Sequence, residues 1–182
     1  MPKIFLVRHG KAAAGWDADL DPGLDDLGRQ QAQKAAKTLA PVGPLELISS
    51  PLTRTRETAI PLVELWNHPP RIEARVAEIP SPTENLSERS DWLRGVMADK
   101  WTHLDQDLLN WRQGVIDAIL DMREDSIVFS HFIAINVIVG EAEGDDRVVN
   151  FLPDNASITI IETDGSGIRL LEKGIEAGTK VN

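Results

Sequence analysis

The stretch Phe5-Leu6-Val7-Arg8-His9-Gly10 is the part of the chain from which fold and site can be predicted together. Its apolar run predicts a strand over residues 4–7, buried on both faces, with Arg8 and His9 at the carboxyl end, where open α/β sheets hold ligands. Gly10 has no Cβ, so the chain can turn sharply there and the backbone can approach a bound group. The pattern places a cation beside a nucleophile. A buried strand followed by a structural, hydrogen-bonded histidine would have the same sequence.

Three further apolar segments also end in polar residues. The segments are residues 45–48, 71–76 and 126–130, and the polar residues that follow or close them are Ser50, Arg54, Glu78, Ser130 and His131. The carboxyl ends of parallel strands meet at one edge of a sheet, so we expect two arginines, two histidines and a carboxyl to gather there. The alternative is that these are separate surface residues.

The segments between these strands indicate helices and one loop. Residues 11–23 are rich in Ala, Asp and Gly without a period, which predicts a loop over the end of the first strand. The first expected helix begins after the capping residue Asp25 and has Leu27 on its apolar face. The second runs to Trp66 and is expected to kink or restart at Pro61. Two more are expected over residues 84–100 and 104–122, and the last continues through Gly140.

A late hairpin completes the expected fold. Residues 156–161 and 168–171 read as two strands joined by a Gly-rich turn. Strands alternating with helices, followed by a hairpin, indicate an α/β fold: a three-layer α/β/α sandwich with a mostly parallel central sheet and an antiparallel edge hairpin. We expect one domain over residues 1–182.

Composition excludes several classes of function. The 182 residues contain no cysteine, which rules out disulfide scaffolds, thiolate metal sites and cysteine nucleophiles. The net charge of −10 argues against binding to nucleic acid or to anionic membranes, and no apolar run is long enough to span a bilayer. We expect a cytoplasmic protein whose anionic ligands are drawn by local cations.

The gathered residues suit phosphoryl transfer through a phosphohistidine. A neutral imidazole can attack phosphorus, and arginines can bind the phosphate oxygens in paired hydrogen bonds. The second histidine can donate another hydrogen bond. The carboxyl must be protonated when substrate binds, so that it can protonate the departing oxygen and then accept a proton from water. This chemistry needs no metal and no other cofactor.

Four segments resemble the histidine phosphatase superfamily, also called phosphoglycerate-mutase-like, in its first branch. The resemblance covers nearly the whole chain. It rests on LVRHG at 6–10, LDDLGRQQA at 24–32, where Asp25 replaces the usual capping Thr, SPLTRTRETA at 50–59 and VFSH at 128–131. The resemblance implies His9 as the nucleophile, Glu78 as the proton donor, His131 as the second catalytic histidine, and Arg8, Arg54 and His131 as the phosphate ligands.

The chain departs from the family pattern at three places. Phe132 stands where the family has Gly, Thr55 replaces Ala, and Ile79-Pro80 follows Glu78 in an unusual context. The third departure makes Glu84 and Asp17 alternative proton donors. Lys11 and Trp16 lie in the loop after the nucleophile, where they can contact the substrate.

The expected activity is hydrolysis of a phosphomonoester on a small molecule or a phosphoprotein. A mutase is the first alternative, but the basic residues between Glu78 and Ser130, such as Arg89, Arg94 and Lys100, are predicted to lie on solvated helix faces. A non-catalytic module that binds a phosphorylated ligand is the second alternative. A metal-dependent hydrolase that uses His9 and His131 is a further alternative, but the sequence has no H-x-x-x-H or H-x-H pair to support it. The natural substrate and the oligomeric state are left open.

Overall fold

A computed structural model describes residues 1–178, which build one six-stranded sheet and five α-helices. The strands are β1 (Lys3–Arg8), β2 (Glu46–Ser49), β3 (Arg71–Ile72), β4 (Ser126–Ser130), β5 (Ile158–Thr163) and β6 (Ile168–Glu172). Their order across the sheet is β3-β2-β4-β1-β5-β6. Strands β1 to β4 run parallel, and β5 is antiparallel to both β1 and β6. The expected mostly parallel sheet with an antiparallel edge hairpin is confirmed.

The helices cover both faces of the sheet. They are α1 (Asp26–Leu39), α2 (Thr53–Trp66), α3 (Leu86–Met97), α4 (Gln106–Leu120) and α5 (Phe132–Glu143). Side chains alternate between faces along a strand, so Ile4 and Leu6 of β1 pack with α3, α4 and α5. Phe5 and Val7 pack on the opposite face with α1 and α2. This is the expected three-layer sandwich.

The two central strands set the position of everything at their carboxyl ends. β1 and β4 pair in parallel register, with Arg8 opposite Ser130. α5 starts two residues after that pair and is buried from Phe132 to Gly140. Apart from Asn136, this buried stretch is apolar on all sides, which allows it to pack against α4 and the sheet at once.

Short polar side chains fix the starts of the helices. Asp25, Asn85 and Asp105 cap α1, α3 and α4 by accepting hydrogen bonds from backbone N–H groups of the first turn. α2 has no cap of its own. Asp21, in the 11–23 loop, instead accepts from the backbone N–H of Thr53 at 2.9 Å and from its hydroxyl at 2.8 Å. These two bonds tie the loop to the helix that follows β2.

The strand expected over residues 71–76 is shorter than predicted. Only Arg71–Ile72 pair with β2, and Ala74–Val76 form one turn of 3₁₀-helix. The Glu73 carboxylate accepts from the Arg75 backbone N–H at 3.1 Å and turns the chain there. The turn delivers Glu78 to the end of the sheet, which the extended strand was expected to do.

One helix prediction was also wrong: Leu27, expected on the apolar face of α1, is 48% exposed, because Gly28 occupies the buried position beside it. α2 runs from Thr53 to Trp66 without a restart at Pro61, and the alternative of a kink there stays a prediction. None of the helices in residues 1–178 is both long and apolar enough to cross a membrane.

Gly28 has no room for a side chain, because a methyl group there would overlap the backbone carbonyl of Lys11. We predict that Gly28→Ala lowers the free energy of unfolding by about 1–3 kcal/mol, the usual effect of overpacking. Urea denaturation followed by circular dichroism measures this change.

Gly95 provides a matched control, since it also lies inside a helix and has open space around its Cβ position. Gly95→Ala should raise the free energy of unfolding by about 0.5–1 kcal/mol through helix propensity. Equal effects of the two substitutions would mean that the close approach of Gly28 to Lys11 is unimportant.

Candidate functional site

The predicted site residues meet at the carboxyl ends of β1, β2 and β4. The backbone N–H of His9 donates to the Ser130 carbonyl at 3.1 Å, and that of Ser50 donates to the Phe129 carbonyl at 3.1 Å. These bonds continue the sheet by one residue past each strand. The backbone alone therefore holds His9, Ser50 and His131 side by side.

His9 is buried and held in one tautomer. Its Nδ1 lies 2.7 Å from the carbonyl oxygen of Gly10, and because a carbonyl can only accept, the proton is on Nδ1. Nε2 consequently carries the lone pair, which accepts from Nε–H of Arg54 at 3.2 Å. Burial, and then the charges of Arg54 and Arg8, lower the pKa of His9 well below 6.5. The residue is a neutral imidazole with its nucleophilic nitrogen aimed at a cation.

The hydrogen bond from His9 depends on the position of Gly10, and contacts with three other residues fix the backbone there. Its N–H donates to the Thr58 hydroxyl at 3.0 Å. A Cβ on Gly10 would lie 2.5 Å from the Gly28 carbonyl oxygen, so only glycine fits. The next residue, Lys11, donates its backbone N–H to the side chain of Gln31 at 2.8 Å. The second and third sequence motifs thus hold the first.

Arg8 and Arg54 are each 6% exposed. Arg8 donates from Nη1 to the Pro153 carbonyl at 2.8 Å, and its guanidinium carbon lies 5.0 Å from the centre of the Phe132 ring. Burial lowers the pKa of Arg8 to about 10, which leaves it charged at neutral pH. Within residues 1–178 neither arginine has a carboxylate oxygen within 4.0 Å. Two buried cations therefore face the cavity without a paired anion.

His131 lies behind His9, with ring centroids 5.3 Å apart. Its Nε2 is 2.8 Å from the Ser50 hydroxyl, which already accepts from the backbone N–H of Leu52 at 3.2 Å. The hydroxyl still has a hydrogen to donate and a second lone pair with which to accept, so this bond can run in either direction. Nδ1 of His131 is buried and has no partner among the described residues. His131 is fully buried and does not line the cavity, so its contact with a phosphate stays a prediction.

Glu78 reaches the same cluster from the turn after β3. One carboxylate oxygen accepts from the Ile79 N–H at 3.0 Å, and the other accepts from the Ile133 N–H at 3.3 Å, in the first turn of α5. Burial raises the pKa of Glu78, although these two hydrogen bonds and the charges of Arg54 and Arg8 act in the opposite direction. The carboxyl holds its proton to higher pH than an exposed glutamate does.

A cavity of about 650 Å³ opens above this cluster. Arg8, His9, Arg54 and Glu78 line its inner end. Lys11 and Trp16, predicted to contact substrate, line the outer part. Of the two alternative proton donors, Asp17 lies on the outer wall, whereas Glu84 is exposed and does not line the cavity. The geometry thus favours Glu78 over both.

The sequence reading missed the position of two basic residues on α3. Arg89 and Arg94, expected on solvated faces, both line the cavity. Arg94 is still exposed and paired with Asp91 at 3.0 Å, but Arg89 is half-buried against Trp16. No local sequence pattern distinguishes Arg89 and Arg94 from arginines on a solvated helix face. The supporting roles of Gln31 and Thr58 were also missed, although both lie in quoted motifs.

The chain belongs to the histidine phosphatase superfamily, branch 1, since the sequence profile of that family matches residues 4–176. It is 29% identical over 163 residues to glucosyl-3-phosphoglycerate phosphatase of Mycolicibacterium vanbaalenii, a match that covers 81% of this chain and 66% of that protein. This chain therefore accounts for just under two thirds of the relative's length.

Two other proteins show the breadth of the likeness. A probable phosphoglycerate mutase of Erwinia tasmaniensis is 26% identical over 176 residues, covering 86% of this chain and 78% of that protein. The solved structure of Bacillus stearothermophilus YhfR superposes with a TM-score of 0.78 at 20% identity and covers 98% of each chain, which confirms the fold.

The protonated carboxyl of Glu78 can be tested through the leaving group. We predict that Glu78→Gln slows hydrolysis of alkyl phosphates by about 10²–10⁴-fold, the usual contribution of a general acid. Hydrolysis of nitrophenyl phosphate should slow much less, because nitrophenolate leaves without a proton. In wild type, activity should fall as pH rises through the raised pKa of Glu78, and the variant should lose this alkaline limb.

Glu84→Gln is the matched control, because it removes an exposed carboxylate outside the cavity. It should leave the rates on both substrates and the pH profile unchanged. An equal loss on both substrates in Glu78→Gln would assign Glu78 a structural role and make Asp17 the next candidate.

Proposed function

We propose that this protein is a phosphatase that hydrolyses phosphomonoesters through a phosphohistidine on Nε2 of His9. The observation that carries the proposal is the state of His9: a neutral, buried imidazole whose Nδ1–H is held by Gly10 and whose Nε2 carries no proton and accepts a hydrogen bond from Arg54. A nucleophile in this state needs no general base, because it has no proton to lose at the attacking atom.

In the first step, Nε2 attacks phosphorus while the bond to the leaving oxygen breaks. Arg8 and Arg54 bind the phosphoryl oxygens and offset their negative charge. Glu78 transfers its proton to the departing oxygen and becomes a carboxylate. The imidazole ring gains positive charge as the P–N bond forms, and the Gly10 carbonyl stabilises that charge through its hydrogen bond from Nδ1–H.

In the second step, water attacks the phosphohistidine and the P–N bond breaks. The Glu78 carboxylate accepts a proton from this water, which restores the carboxylic acid and leaves inorganic phosphate. The bonding pair returns to Nε2, so His9 is again neutral. Each group ends the cycle in the protonation state in which it began.

The size of the cavity supports a small phosphorylated molecule as substrate. About 650 Å³ lies within the range of small-molecule sites. The phosphatase name of the relative at 29% identity points the same way. Exposed residues such as Lys11, Asp19 and Arg94 form the outer wall, so water can reach the phosphoenzyme.

A phosphoglycerate mutase is the second candidate, and two observations favour it. One relative carries that name, and Arg89 supplies a basic residue in the cavity beyond the phosphate pocket. A mutase must also keep its phosphoenzyme from water while the substrate reorients. The exposed outer wall of this cavity suits hydrolysis better.

The covalent step predicts a trapped intermediate. Rapid quench of wild type during turnover, with EDTA present, should yield an acid-labile, base-stable phosphoryl group on His9, located by mass spectrometry. His9→Ala should lose turnover completely. His68→Ala, which removes an exposed histidine outside the cavity, should keep it. Turnover without any adduct, or turnover that EDTA abolishes and a divalent ion restores, would contradict this mechanism.

Phosphatase and mutase predict different products from one substrate. With 3-phosphoglycerate, we expect release of inorganic phosphate to outpace formation of 2-phosphoglycerate. Phosphate is followed colorimetrically and the isomer by a coupled assay. Faster formation of the isomer would identify the protein as a mutase.

A further inference from the structure

The segment that carries Glu78 is tied to the end of β4 by a buried hydrogen bond. Glu78 lies two residues beyond the 3₁₀ turn Ala74–Val76, and Ser130 is the last residue of β4. The Ser130 hydroxyl donates to the Val76 carbonyl at 2.7 Å, and both residues are fully buried. The bond therefore joins the end of the turn to the strand that leads to His131.

The same two segments meet a second time at the carboxyl itself. Glu78 accepts from the backbone N–H of Ile133, three residues after Ser130, at 3.3 Å. This distance is long for an N–H donor, whereas the 2.7 Å bond of Ser130 is typical of a hydroxyl donor. The weaker bond reaches the side chain of Glu78, and the stronger bond fixes the backbone from which that side chain extends.

The charged side chains of the turn itself act at its start and on the surface. Glu73 pairs with Arg75 at 2.9 Å, and Arg75 also pairs with Asp121 at the end of α4, at 2.9 Å. Arg75 and Asp121 are exposed, and exposed ion pairs contribute little to stability. Ser130 instead acts on the last residue of the turn from inside the protein, where a carbonyl without a partner is costly.

We propose that Ser130 is a positioning residue for the proton donor: its hydroxyl, acting through the Val76 carbonyl, holds the Glu78 carboxyl where it can protonate the leaving group. This inference rests on the proposed phosphatase function. Ser130 does not line the cavity, so it acts through Glu78 and not on the substrate. Proton transfer requires close approach of donor and acceptor, and a displacement of about 1 Å can lower a rate by about 10²-fold.

The charges around Glu78 do not depend on Ser130. Arg8 on β1 and Arg54 on α2 favour the carboxylate form of Glu78, whereas burial favours the acid. The first turn of α5 carries no acidic residue, and His9 is neutral. Further charged groups on the cavity wall are Lys11, Asp17, Asp19, Arg89, Arg94 and Asp154. Because removal of a hydroxyl changes none of these charges, a change in the pKa of Glu78 would report its position and hydration.

Ser130→Ala tests this connection. kcat/KM on an alkyl phosphate should fall by about 10- to 100-fold, part of what a general acid contributes, and on nitrophenyl phosphate by about twofold at most. A carboxyl that is held less firmly is better hydrated, so its pKa moves down toward the ordinary value. The alkaline limb of activity on the alkyl phosphate should therefore move to lower pH. Carbon NMR of the glutamate carboxyls, with the Glu78 signal identified by its loss in Glu78→Gln, should show the same decrease in pKa.

Two controls separate positioning from general destabilisation. Ser126 is also buried and lies at the other end of β4, where its hydroxyl donates to the Glu124 carbonyl at 2.8 Å. Ser126→Ala should leave the rates on both substrates and the alkaline limb unchanged. In a Glu78→Gln background, Ser130→Ala should no longer change the ratio of the two rates, because the group that it positions is absent. Thermal melting checks that each variant is folded.

The outcomes distinguish this inference from the proposed function. A folded Ser130→Ala that keeps the wild-type ratio and limb, or that loses activity equally on both substrates, overturns the inference and leaves the phosphatase in place. If Ser130→Ala does not fold, Ser130→Cys, whose thiol is a weak donor of similar size, is compared in the same way. If wild type hydrolyses no phosphomonoester, the proposed function is wrong. The NMR titration then decides alone, and an unchanged pKa of Glu78 overturns the positioning role.

Discussion

The hydrogen bond from Nδ1–H of His9 to the carbonyl of Gly10 is the constraint on which the site depends. It sets the tautomer and the orientation of the ring together, and so determines which nitrogen is free to attack. The position of that carbonyl depends in turn on Thr58, which holds the Gly10 N–H, and on Gly28, which lets two backbones meet. Helix α1 therefore acts on the nucleophile without contacting its ring, whereas α2 acts both through Gly10 and through Arg54, which donates to Nε2 of His9.

Burial favours the neutral form of every titratable group in the site, yet the two arginines stay charged. It lowers the pKa values of His9 and His131 and raises that of Glu78, and in all three it favours the neutral form. Arg8 and Arg54 stay charged, because the pKa of a guanidinium is so high that it remains above neutral pH after burial has lowered it. The result is a pocket with positive charge that is not neutralised from within, in a chain whose net charge is −10. Such a pocket suits a phosphate dianion, since burying an unpaired charge costs free energy that a bound anion would offset.

The local sequence predicted most of the inner site. Arg8, His9, Ser50 and His131 follow the ends of buried strands that could be read from apolar runs, and a parallel sheet brings such ends together. The prediction was less accurate where contacts between distant segments decide the outcome. Glu78 was placed correctly at the cluster, but the strand expected to lead to it stops at Ile72, and a 3₁₀ turn over Ala74–Val76 leads to it instead. Leu27 was read as core because a helical period cannot show that Gly28 must face Lys11.

Arg89 shows most clearly what the sequence could not supply. Along α3 its charge alternates with those of Glu88, Asp91 and Arg94, the pattern of a solvated face. Only the packing of α3 against the 11–23 loop brings Arg89 over Trp16, a residue 73 positions earlier in the chain. The sequence by itself determined the fold class, the family and the residues at the strand ends, because hydrophobic periodicity and short motifs are local properties. The tertiary structure alone decided which cations are paired, which histidine lies on the cavity wall and which carboxyl lies beside the arginines, because these depend on contacts between segments that are distant in the chain.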